Sequence, residues 1–247
     1  MSKLLTFLFV IIIYTHCISQ ETITFSSSDG VTVTADLYMP HEKSVPFIVL
    51  FHQANSSRGE YLEIAPKINA LGFNCMAVDQ RSGGSMNGIS NKTKISASQA
   101  MKGTSYVDAL LDIVTAIEYA KQNLTEGKLI IWGSSYSSAL VLKIAGEDHN
   151  AVDAVMAFSP GEYFSSLGKP KDWITSSAEH ISTPVFITSS RNEKFNWWKI
   201  YEAIPSENKQ YFLPSTSGNH GSRALWEKFS DSKDYWKAVT DFLNSLK

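Results

Sequence analysis

Cysteine is nearly absent from this sequence: the 247 residues hold two, Cys17 and Cys75. Cys17 lies near the N-terminus, just after an apolar run, so a chain cut behind it would keep one thiol and could form no internal disulfide. Cys75, inside an apolar run, reads as a small core residue. No cysteine and histidine set has metal-ligand spacing, so neither a metal nor another cofactor is expected. Excess charge is also lacking. The net charge is −2 with a pI near 6.3, and no basic run is interleaved with aromatics, which argues against a nucleic-acid partner. What the chain does have is apolar material, 43% hydrophobic and 12% aromatic. That supplies the core of one domain and falls short of two.

The N-terminus differs in kind from the rest. Lys3 precedes the apolar run of residues 4–14, and small residues follow, with Cys17 and Ser19 at the −3 and −1 positions of a cut before Gln20. This is the pattern of a secretory signal peptide. A retained membrane anchor is the first alternative, and lipidation of Cys17 the second, although the bulky His16 before it makes a poor lipidation motif. The expected organisation is a cleaved signal over residues 1–19 and one domain over residues 20–247. The mature protein is then secreted or periplasmic, with no membrane partner; its oligomeric state is left open.

Beyond the signal, residues 22–26 and 31–38 alternate with period two around the turn Ser28-Asp29-Gly30, predicting a hairpin. Residues 46–51, 73–78, 128–132, 154–158 and 184–188 are instead continuous apolar runs, as in strands covered on both faces, and residues 209–213 supply a last strand. Amphipathic helices are predicted over residues 61–71, 106–122, 139–145 and 225–246. The alternation predicts a mostly parallel eight-stranded sheet with an antiparallel N-terminal edge and helices on both faces. Residues 81–104, rich in Gly, Ser, Asn and Lys, read as a mobile surface loop. Residues 159–183 leave room for one short helix and no lid domain.

In Trp132-Gly133-Ser134-Ser135-Tyr136-Ser137, a buried strand runs into a helix through small residues. The segment resembles the nucleophile elbow of the α/β-hydrolase superfamily, Gly-x-Ser-x-Gly, centred on Ser135, with Ser137 in place of the second glycine. Centring on Ser134 would put bulky Trp132 two residues before the nucleophile. The chain has six histidines; His41, His149 and His180 read as solvated or structural. His220, in Ser217-Gly218-Asn219-His220-Gly221, lies where the family places its base. The resemblance puts Glu193 at the acid position after the strand of residues 184–188, with Glu162 as the other candidate.

For the oxyanion, the resemblance implies the backbone N–H of Tyr136 and one from the loop His52-Gln53-Ala54-Asn55, assigned to Gln53. His52 is expected to support this loop, and the turn Asp79-Gln80-Arg81-Ser82-Gly83-Gly84 to brace the site. Phe158, Tyr163, Phe164, Trp173, Phe195, Trp197 and Trp198 lie near strand ends, suggesting an apolar or aromatic subsite, although several could simply pack beneath the loops. Within the superfamily the chain is similar to dienelactone-hydrolase-like proteins and small serine esterases. The implied activity is hydrolysis of small to medium carboxylic esters through an acyl-enzyme. A peptidase or amidase of the same fold, and a non-catalytic binding protein, remain alternatives.

Overall fold

The computed structural model describes residues 20–247, so the expected signal peptide lies outside the described residues. The chain begins with the hairpin β1 (Gln20–Ser26) and β2 (Thr32–Tyr38), then β3 (Phe47–Phe51), α1 (Ile64–Ala70) and β4 (Asn74–Val78). A short hairpin, β5 (Ser85–Met86) and β6 (Ile89–Ser90), leads to α2 (Lys92–Gln99) and α3 (Ala109–Asn123). The second half runs β7 (Leu129–Ser134), α4 (Tyr136–Glu147), β8 (Ala154–Phe158), α5 (Trp173–Ala178) and β9 (Val185–Thr188). It ends with α6 (Lys194–Ala203), β10 (Lys209–Phe212) and α7 (Ser232–Asn244).

Eight strands form one sheet in the order β1-β2-β4-β3-β7-β8-β9-β10. β2 pairs antiparallel with both β1 and β4, and every other pairing in this sheet is parallel. The predicted sheet and its antiparallel edge are therefore present. Period-two alternation divides the core. Phe47, Val49, Phe51, Leu129 and Ile131 face the layer of α3, α4, α5 and α6. Ile48, Leu50, Ile130 and Trp132 face α1 and α7. Two apolar faces explain why these strands read as unbroken hydrophobic runs.

Some expectations need correction. Residues 81–104 hold a hairpin and a helix. Asn87 and Gly88 both have positive φ (50° and 77°), the two-residue turn that an Asn-Gly pair favours. The Asn91 side chain caps α2, and buried Asp79 accepts the Lys92 N–H at 2.8 Å. The C-terminal helix begins at Ser232, seven residues later than the expected Leu225, behind a 3₁₀ turn over Ser222–Leu225. Helix α6 was not expected, because of its residues only Trp197 and Ile200 are buried.

Candidate active site

Ser135 sits at the C-terminal end of central strand β7, in the bend that opens α4. Its backbone is in a strained positive-φ conformation (φ 59°, ψ −125°). Such strain persists only where the surroundings enforce it. Here the Ser135 N–H donates to the Phe158 carbonyl at 2.7 Å, and Ser138 Oγ donates to the Ser135 carbonyl at 2.5 Å. Gly133 is a steric necessity: a Cβ there would lie 2.5 Å from the Ser137 carbonyl carbon and oxygen. Ser137, standing where the motif has glycine, donates from Oγ to the His52 carbonyl (2.6 Å) and accepts from Gln80 Nε2 (2.5 Å). Its hydroxyl therefore joins the elbow to the loops after β3 and β4.

The structure brings Ser135, His220 and Glu193 together. His220 Nε2 is 2.7 Å from Ser135 Oγ, and His220 Nδ1 is 2.5 Å from Glu193 Oε1. Glu193 closes a 3₁₀ turn over Arg191–Glu193 after β9. Its second oxygen accepts from Ser159 Oγ at 2.8 Å. Burial pushes the Glu193 carboxyl pKa up, but the His220 hydrogen bond and charge, with the Ser159 and Ser190 donors, outweigh it and hold the pKa below the ordinary value. Glu162, the other candidate acid, is engaged elsewhere: its oxygens accept from the Ile174 and Thr175 amides and the Thr175 hydroxyl at the start of α5. Ser159 belongs to the same network. It has φ 58° and also accepts the Gly221 N–H at 2.9 Å, so it ties the acid to the histidine loop. A lone serine after a strand carries no sequence signal for this role.

The loop after β3 departs from expectation. The Gln53 N–H, assigned to the oxyanion, is committed to Glu60 Oε2 at 2.8 Å. The next peptide is held from its other end. Buried His52 accepts the Gln80 N–H at Nε2 (3.0 Å), so its proton is on Nδ1, which donates to the Gln53 carbonyl at 2.8 Å. Burial, the largest influence, lowers the His52 pKa and favours this neutral form. Because the carbonyl and N–H of a trans peptide point in opposite directions, the Ala54 N–H is turned away from His52. Among the described residues neither the Ala54 nor the Tyr136 N–H has a hydrogen-bond partner. His52 is thus a loop support, and Asp79 is a brace, ion-paired with Arg58 at 2.7 Å.

Of the aromatic residues expected at a subsite, Tyr163 borders the triad. Its hydroxyl donates at 2.7 Å to the carbonyl of Ser159, whose own hydroxyl donates to Glu193. Phe158 instead stacks on Trp132 on the opposite side of the sheet, with ring centroids 4.6 Å apart. Phe164 and Trp197 are buried in the core, and Trp173 packs edge-on against Phe164. Trp198 joins a cluster with Trp197, Tyr201 and Tyr211, and Phe195 projects from α6, 80% exposed. These side chains pack the helical layer or face solvent.

A nucleophile-elbow serine at the end of a parallel strand, with a histidine and a carboxylate from later loops, defines an α/β hydrolase. The chain belongs to the serine aminopeptidase S33 family, whose model matches residues 42–167. Comparison with curated protein sequences returns no match. Among solved structures, the chain is similar to an esterase from Pyrococcus furiosus (18% identity, TM-score 0.71, covering 93% of each chain). It is also similar to a dienelactone hydrolase from Anabaena variabilis (13% identity, TM-score 0.71, covering 92% of this chain and 98% of that one). A third similar structure is Est1E from Butyrivibrio proteoclasticus with ferulic acid bound (13% identity, TM-score 0.71, covering 91% and 98%).

Proposed function

We propose that the protein is an exported serine hydrolase that cleaves carboxylic esters of small to medium size. The observation that carries this reading is the continuous hydrogen-bonded line Ser135 Oγ, His220 Nε2, His220 Nδ1, Glu193 Oε1. His220 takes the Ser135 proton as Oγ attacks the ester carbonyl, and Glu193 orients the ring and stabilises its cation. The Tyr136 and Ala54 amides donate to the oxyanion, Tyr136 with the added field of a helix N-terminus. His220 then protonates the leaving alcohol, and water, activated by the same ring, releases the acid from Ser135. Glu193 is the acid of this reading, since Glu162 already caps α5.

The family's description favours one second reading, hydrolysis of amide bonds at a peptide N-terminus. The open connection after β8, whose regular elements are a 3₁₀ turn over Ser165–Leu167 and α5, supports modest substrates in either case. Steady-state rates on p-nitrophenyl esters and aminoacyl p-nitroanilides, with Ser135→Ala as control, test both readings. Ester turnover that vanishes in Ser135→Ala supports the esterase; turnover of the anilides alone would replace it with the aminopeptidase. Export rests on residues 1–19 and is tested by the N-terminal sequence of protein recovered from the extracytoplasmic fraction, expected to begin at Gln20.

A further inference from the structure

Glu60 is fully buried, yet it is a carboxylate, and none of the ion pairs among the described residues includes it. Its sequence neighbour Arg58 is committed to Asp36 and Asp79. An unpaired buried carboxylate opposes folding unless donors satisfy it. The donors here come from different parts of the site. Oε2 accepts the Gln53 N–H at 2.8 Å, and Oε1 accepts from Ser134 Oγ at 2.7 Å. Ser134 Oγ in turn accepts the Ser222 N–H at 2.9 Å, two residues beyond His220. The backbone of Glu60 is fixed as well, its carbonyl accepting from Trp226 Nε1 at 2.9 Å.

We infer that Glu60 is a positioning residue: its carboxylate ties the Gln53 segment to the Ser134-Ser135 elbow and so aims the Ala54 amide at the substrate oxyanion. This rests on the hydrolase reading above. The chemistry requires a carboxylate because two donors must be accepted on two separate oxygens. A glutamine in one orientation offers a single acceptor oxygen. By occupying the Gln53 N–H, Glu60 removes it as an oxyanion donor and sets the plane of the preceding peptide. His52 sets the next plane through the Gln53 carbonyl. The two anchors together leave the Ala54 N–H one direction in which to point. The Ser134 bond transmits the same constraint to the residue before the nucleophile, and through Ser222 to the histidine loop.

Glu60→Ala, Glu60→Gln and Ser134→Ala are compared with the unaltered protein by kcat, KM and melting temperature on a p-nitrophenyl ester. In a folded Glu60→Ala protein, kcat is expected to fall about 100-fold with KM nearly unchanged, as for a misplaced transition-state donor. Glu60→Gln, which keeps one acceptor, is expected to lose about 10-fold and to remain folded if the alanine variant is not. Ser134→Ala, which keeps the Gln53 bond, is expected to fall between them. A folded Glu60→Gln with wild-type kcat and KM would overturn the inference. If the unaltered protein hydrolyses no ester or anilide, the failure belongs to the hydrolase reading. The amide proton of Gln53, followed by ¹H–¹⁵N NMR, then decides: an upfield shift in Glu60→Gln supports the tether, and an unmoved signal refutes it.

Discussion

Replacing Ser137 with alanine isolates what this chain gains where the elbow motif has glycine. Ser137 is fully buried, and its hydroxyl bonds the His52 carbonyl at 2.6 Å and Gln80 Nε2 at 2.5 Å. Removing it leaves buried polar groups short of a partner, each at a cost of about 1–3 kcal/mol. The loss is partial, because Gln80 Nε2 retains a longer contact with the His52 carbonyl at 3.4 Å. Alanine also recovers a few tenths of a kcal/mol in helix propensity. The net destabilisation is about 2 kcal/mol, which for a domain of this size lowers the melting temperature by roughly 4–8 °C. Differential scanning calorimetry at neutral pH measures it directly. Ser137→Gly, run alongside, removes the same bonds and adds about 1 kcal/mol for glycine in a helix, so it should melt lower still. A Ser137→Ala protein melting within about 1 °C of wild type would refute the assignment of this hydroxyl as a strut between elbow and loops.

Gly133→Ala places a methyl group 2.5 Å from the Ser137 backbone, so it should yield insoluble protein or, if folded, lack ester turnover; normal activity would contradict the elbow geometry. Glu193→Gln should keep the fold but lower kcat on the order of 10³–10⁴-fold, by favouring the wrong histidine tautomer; steady-state kinetics check it, and a loss below tenfold would speak against Glu193 as the acid. For Glu60, burial pushes the carboxyl pKa up and its donors offset only part of the rise. The folded state therefore holds this proton more tightly than the unfolded chain. The resulting stability is complete below the ordinary carboxylate pKa and lost as pH rises through the raised value. Urea unfolding should show wild type losing stability relative to Glu60→Gln between acid and neutral pH; a pH-independent difference would contradict this.

The backbone of the fold was legible because its physics is local. Buried strands such as residues 128–132 appear as unbroken apolar runs, and the spacing around Ser135 follows from steric demands on Gly133. Two kinds of feature were harder to see. The hairpin at residues 85–90 has strands of two residues each, too short for periodicity, although Asn87-Gly88 was a usable turn signal. The second is long-range capture of polar groups. Glu60 claims the Gln53 amide from seven positions away, and Ser159 joins Glu193 to Gly221. Such partnerships exist only once the fold has brought the groups together. One of them takes up the Gln53 N–H, which the sequence alone left free for the oxyanion.

Covalent labelling of the protein with a fluorophosphonate, followed by mass spectrometric location of the adduct, tests directly whether Ser135 is an activated nucleophile. One adduct is expected, on Ser135, absent in Ser135→Ala and strongly reduced in His220→Ala. A folded wild-type protein that remains unlabelled, or that carries its adduct on Ser134 or Ser137, would contradict this role of Ser135.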